Sequence, residues 1–287
     1  MKMGRNRKNS QLYEFWKRFR RNKLAIAGIL FILLLIFVIL FQGVIAREGI
    51  NDQKYDDMLA APSMKYLFGT DQYGRDIFSR MVYGTKYTIS MGLIAASISA
   101  VIGIFLGSVT GYYGGKMDNF IMRAVDIFMT LPNILLALVM TASFGPGFFN
   151  TMIAVGIAGS PAMTRVTRAA VMGVRNQEFI EAAISNNASD MRIIWRYVLP
   201  NAIAPIIVQY TMFVAQAILI GSSLSFLGLG LQPPAPEWGS MLSAGKAYMR
   251  ECWWLTAIPG VFIMLVVLAI NMIGDGLRDA LDPKQKR

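Results

Sequence analysis

The sequence predicts an all-α integral membrane protein with six transmembrane helices, and three observations carry that expectation. Of its 287 residues 55% are hydrophobic and 16% charged, with a mean hydropathy of +0.46, which is more apolar side chain than a soluble core of this size needs. Leu24 to Ile45 is a run of 22 residues interrupted only by Gly28, Gln42 and Gly43, about 33 Å long as a helix against a hydrocarbon core of about 30 Å. The charges gather between the apolar runs: residues 1–23 hold nine Lys and Arg against Glu14 alone, the bias that keeps a segment on the cytoplasmic side.

In chain order, residues 1–23 read as a basic cytoplasmic tail and 24–45 as the first transmembrane helix. Its apolar run exceeds the roughly 7–15 residues of a cleaved signal, so it reads as an uncleaved anchor. Residues 46–88 are charge-balanced and read as an external segment. A membrane core follows over 89–275, with spans expected at Ile89–Tyr112, Ile121–Phe144, Phe148–Val171, Ala202–Leu224 and Thr256–Gly274. Within it the loop 174–200 is polar and basic, which places it in the cytoplasm. Six spans also leave the tail 276–287 inside, with Lys284, Lys286 and Arg287. Arg123 and Asp126, early in the third span, are placed to pair or to face the bundle interior. Gly92, Gly103, Gly107, Gly156 and Gly159 suit close helix packing, and Pro132 and Pro161 permit bends. Asn133, Gln209, Gln216 and Asn271 are polar groups inside spans, which need water or partners; they are candidates for a polar path through the bundle or for hydrogen bonds between helices.

The composition also narrows the chemistry. The net charge of +11 sits mainly in the N-terminal tail and the cytoplasmic loop, where anionic membrane lipids rather than nucleic acid are the expected partner. A single cysteine, Cys252, makes an internal disulfide or a cysteine-based metal framework impossible, and with no histidine the commonest metal ligand and general base are both missing. Gly245-Lys246 is no phosphate-binding loop, because Ser240 stands where glycine is needed and Ala247 where a hydroxyl is needed. No catalytic residue, metal or cofactor is expected in this chain, and it reads as a non-enzyme.

Four segments carry a recognisable pattern. Glu181-Ala182-Ala183, three further residues, a break at Asn187-Ala188-Ser189-Asp190 and then Leu199-Pro200 describe a short helix of small side chains, a turn, and a restart where the missing proline N–H costs little. Upstream stands Phe68–Arg80 (Phe-Gly-Thr-Asp-Gln-Tyr-Gly-Arg-Asp-Ile-Phe-Ser-Arg). Downstream stand Ser223–Met241, ending Gln-Pro-Pro-Ala-Pro-Glu-Trp-Gly-Ser-Met, and Gly274–Pro283. The first resembles the cytoplasmic loop through which permease subunits of bacterial ABC importers engage their ATPases. The four together, in this order, resemble the dipeptide/oligopeptide/nickel branch of that family, in the C-type subunit of its permease pair.

The resemblance implies a type I importer core of five helices behind an N-terminal helix. It implies these partners: a B-type permease subunit, two ABC ATPase subunits that bind the ATP and Mg, and an extracellular or periplasmic substrate-binding protein. It places the chain in the bacterial cell membrane. Glu181, Ala182, Ala183, Asn187, Ala188, Ser189, Asp190, Leu199 and Pro200 become the ATPase-coupling residues, and Asn133, Gln209, Gln216 and Asn271 candidates for the translocation path. Asp71, Arg75, Asp76, Pro233, Pro234 and Trp238 become candidates to face the binding protein. Peptides are the expected cargo, with nickel or another small chelate as the alternative within the family. An ion-coupled secondary transporter is the reading outside it, though neither inverted repeats nor a carboxylate relay stands out. Two residues depart from the family pattern. Asn187 takes the place of a usual glycine, which a left-handed backbone conformation would tolerate, and no histidine precedes Gly69-Thr70-Asp71.

Overall fold

The computed structural model describes residues 13–281. The N-terminal part of the basic tail, and Lys284, Lys286 and Arg287, lie outside the described residues. Among the described residues the chain is helical with no strand.

Helix α1 (Lys23–Leu40) opens at Asn22, whose side-chain oxygen accepts the Ala25 N–H at 3.0 Å, the preferred way to satisfy a free donor at a helix start. Gly28 lets α1 sit against the C-terminal helix: a Cβ there would stand 2.5 Å from the Ala269 carbonyl oxygen. Helix α2 (Ile77–Tyr113) has 37 residues and begins twelve residues before the expected Ile89, inside the stretch read as wholly external. The cause is local, since Asp76 caps it by accepting the Ser79 N–H at 2.9 Å.

The third span bends at Pro132, where the sequence permits it, more sharply than a kink. Ile121–Phe144 is not one straight helix: α3 (Gly115–Met129) and α4 (Asn133–Phe144) meet at 90°, and the break falls at Thr130–Pro132, where proline disfavours helical geometry in the residue before it. Arg123 does not pair with Asp126 either. Arg123 is exposed, whereas Asp126 bonds Arg165, and Asp118 takes Arg168 in a two-pronged contact at 2.6 Å on each side.

Helix α5 (Phe148–Arg175) follows. Its Gly156 approaches Ala95 and Ile98 of α2, Met163 fills the space beside Gly103, and Val171 lies over Gly111. Both residue numbers rise together, so α2 and α5 run parallel, and the α3–α4 elbow carries the chain back between them. Gly92, against Ile218, and Gly159, against the Phe213 ring, close the same packing, as small residues do in helix bundles. After α6 (Glu178–Ser185), α7 runs continuously from Asp190 to Phe226. A short helix α8 (Trp238–Gly245) precedes α9 (Trp254–Leu281).

Four helices, α1, α2, α7 and α9, are long and apolar enough to cross a membrane, and the bent pair makes five. The sixth expected span, α5, has 28 residues, enough length at about 1.5 Å each, but it is richer in small and polar residues. Its place explains the composition: α5 buries Thr151, Ser160, Thr164 and Thr167 against protein, so it faces little lipid. Pro161 is buried within α5 without breaking it.

Candidate functional site

The loop between α5 and α7 is built as a rigid bracket. In α6, Ile180 and Ala183 turn inward and join a cluster with Val171, Val174, Ile193, Ile194, Val198 and Leu199. Glu181 and Ala182 are exposed, with Phe179, Ile184, Met191 and Trp195 around them. Four large apolar side chains are thus uncovered on a polar loop. The sequence reading singled out none of them, because single apolar residues between charges show no periodicity until the turn geometry is known.

That turn depends on Asn187, whose φ is +57°. Its N–H bonds the Ile184 carbonyl at 2.8 Å and the next N–H, of Ala188, reaches back to Ala183 at 3.2 Å. This is the paired closure of a helix end by a left-handed residue, usually glycine and sometimes asparagine. Ala188 packs on the cluster that holds Ala183, completing the closure. Ser189 then stands before the helical restart at Asp190, and Asp190 accepts a hydrogen bond from the Tyr112 hydroxyl at 3.1 Å, tying the bracket to the end of α2.

Helical bonding starts at Asp190, ahead of Leu199-Pro200. Ile194–Val198 form one wide π turn, with the Leu199 N–H bonded to the Ile194 carbonyl, and regular α geometry resumes at Leu199 with Pro200 in its first turn. A wide turn there accommodates the absent proline N–H. Leu199 is buried and Pro200 exposed.

On the opposite end, Phe68–Arg80 folds into a cap over α2 and α8. Asp71 accepts the Arg75 Nε–H at 2.7 Å and the backbone N–H groups of Tyr73 and Arg75. The Trp238 indole N–H donates to the Met81 carbonyl at 3.1 Å. Asp71, Arg75, Asp76 and Trp238 are all buried, and only Pro233 and Pro234 of the six candidates for the binding-protein face are exposed. Glu237 is also fully buried, accepting the N–H groups of Gly239 and Ser240 at 2.9 Å as the cap of α8. Burial pushes its carboxyl above the usual range, against the pull of those hydrogen bonds.

Of the path candidates, Gln209 is half-buried beside Pro205, Met212 and Arg278 in a cavity of about 440 Å³ between α7 and α9. Gln216 lies seven residues on along the same face of α7, and Ser223, which the sequence reading passed over, seven further, at a second cavity of about 310 Å³. Asn271 is exposed on α9 and Asn133 half-buried at the start of α4. Of the four, Gln209 alone lines one of these cavities. None of the four side chains hydrogen-bonds within the described residues, which sets aside helix-to-helix bonding inside this chain.

A membrane bundle with a bracket at one end and a capped face at the other defines a transport component, and the comparisons agree. Residues 99–287 match the family of binding-protein-dependent transport system inner membrane components, and residues 10–62 match the N-terminal TM domain of oligopeptide transport permease C. The chain belongs to this permease family. It is 44% identical over 283 residues to the di/tripeptide transport system permease protein DppC of Pseudomonas aeruginosa, covering 96% of this chain and 93% of that one. It is 45% identical over 275 residues to the glutathione transport system permease protein GsiD of Escherichia coli, covering 96% and 91%. Among solved structures, an inward-facing MetNI methionine ABC transporter chain shares the fold with a TM-score of 0.57 at 20% identity, over 71% of this chain and 96% of that one.

Proposed function

We propose that this chain is one of two permease subunits of an ATP-driven importer of small peptides in a bacterial cell membrane. A B-type permease, two ATPase subunits and an external substrate-binding protein complete the assembly. ATP and Mg are held by the ATPases. The reading that the loop is the ATPase-coupling element is carried by the exposed apolar group Phe179, Ile184, Met191 and Trp195 around Glu181 and Ala182, on a bracket anchored to α2, α5 and α7. A partner that binds two states of the bundle unequally must push on something stiff, and the closure at Asn187 with the Tyr112–Asp190 bond provides the stiffness. Both termini are assigned to the cytoplasm from the basic bias of residues 1–23. Peptide cargo, rather than nickel, follows the relatives named for di/tripeptides and glutathione. Gln209, Gln216 and Asn271, without side-chain hydrogen bonds among the described residues, and Ser223, whose hydroxyl donates to the Leu219 carbonyl at 2.7 Å, are its proposed path, completed by the second permease subunit.

The test is ATP-dependent uptake of labelled dialanine and trialanine by the complete assembly in proteoliposomes. Uptake that requires the binding protein and internal ATP supports the reading; an assembly that hydrolyses ATP with its binding protein yet moves neither peptide overturns the cargo assignment.

A further inference from the structure

The capped face encloses a cavity of about 410 Å³ between the Asp71–Arg80 stretch and the start of α8, within the volume range of ligand pockets. Its charged lining consists of Arg75, Arg80 and Asp71, two cations against one anion. Arg80 is 6% exposed and has no carboxylate in hydrogen-bonding contact: Nη1 donates to the Ile50 carbonyl at 2.8 Å, both terminal nitrogens reach the Pro234 carbonyl at 3.4 Å, and the nearest Asp71 oxygen is 3.8 Å from Nε. That oxygen already takes Arg75, and the other accepts two backbone N–H groups. The single Asp71 carboxylate thus serves two buried guanidinium groups, Arg80 at the greater distance; a buried cation so loosely paired is costly, and one incoming carboxylate would answer it.

We propose that this cavity receives one acidic side chain of the substrate-binding protein docked on the outer face. The proposal rests on the importer reading above. A zwitterionic peptide fits less well, because its ammonium needs a free carboxylate and both oxygens of Asp71 are occupied. An aspartate or glutamate side chain brings the negative charge alone, and guanidinium groups suit carboxylates through directed N–H donors.

The experiment measures binding of the fluorescently labelled substrate-binding protein to the whole importer in nanodiscs. Arg75→Gln removes a cation, and Ala235→Glu supplies a carboxylate from the cavity wall while leaving both arginines in place. Each should weaken binding at least about tenfold, as loss of a partner from a buried charge pair does. Ala235→Glu should weaken it more than Ala235→Gln, and Met64→Glu, on the exposed external segment, should change it by less than about twofold. If Arg75→Gln fails to assemble, the Ala235 pair decides alone. Wild-type affinity in Ala235→Glu overturns the proposal, as does millimolar dialanine shielding Ala235→Cys from a thiol reagent when no binding protein is present. If wild-type importer binds no substrate-binding protein at all, the importer reading itself fails, whatever the variants do.

Discussion

Two side chains set local geometry that their neighbours depend on. Asn187 holds a left-handed backbone at φ +57°, which costs a residue with a Cβ roughly 1 kcal/mol or more and asparagine least among them. Asn187→Gly should keep full uptake, whereas Asn187→Val should destabilise the bracket by about 1–2 kcal/mol, read as faster proteolysis of the loop and reduced uptake at normal membrane levels. Equal protease resistance in the two variants would remove the left-handed turn from the account. Glu237 is buried with its carboxyl raised by desolvation. A raised folded-state value means that its contribution to stability is present below the unfolded value and is lost as pH rises through the folded one. Glu237→Gln should therefore gain thermal stability relative to wild type between pH 4.5 and 8, and a constant difference across that range would contradict the burial argument.

Among the elements, α6 decides how the coupling motif is to be tested. Glu-Ala-Ala looks like one surface in the sequence, but helical spacing puts Ala183 with Ile180 on the buried face and leaves Glu181 and Ala182 outside. Ala182→Arg and Glu181→Lys change only what an ATPase would touch; Ala183→Arg also disrupts the bracket's own packing. The first two should insert normally, lose most uptake and retain the ATPase subunits poorly on purification. Full uptake by both at wild-type expression would defeat the coupling assignment. Trp195→Ala should behave like Ala182→Arg, since it removes the largest exposed apolar contact beside them. The α3–α4 elbow teaches the converse lesson. Pro132 permits a bend within Ile121–Phe144, but only the 90° break there separates a helix tied to α5 by Asp118–Arg168 from one that returns along the bundle.

At the scale of the whole molecule, orientation is open to direct test. In a Cys252→Ser background, Met64→Cys, 92% exposed on the external segment, should react with an impermeant maleimide in intact cells. Phe179→Cys should react only after permeabilisation, and its labelling in intact cells would reverse the topology. Glu237→Cys is no reporter of the outer side, being fully buried. Purified alone, the chain should hydrolyse no ATP, because it offers no phosphate-binding loop; turnover that survives repurification would place it in another class.

Membrane residence and an all-helical fold were legible from residue order, because hydropathy and charge bias are local properties read over short windows, and the family was legible from four motifs in order; of the six expected spans, four helices and one bent pair are long and apolar enough to cross a membrane. The need for a left-handed residue at position 187 was legible too, because turn chemistry is equally local. Which face of each motif is buried was not. Asp71, Arg75, Asp76 and Trp238 sit in motifs read as external yet turn inward: Asp76 bonds Ser79 and Trp238 bonds Met81, both from the start of α2, which begins twelve residues earlier than hydropathy suggests. The apolar group at Phe179 and Trp195 and the two-cation cavity exist only because segments far apart in sequence are folded together. The sequence by itself determined that this protein is a helical membrane protein and, through its motifs, that it resembles a permease. Tertiary structure alone decided which of the motif side chains are exposed and which buried, because exposure depends on neighbours that no single stretch of sequence contains.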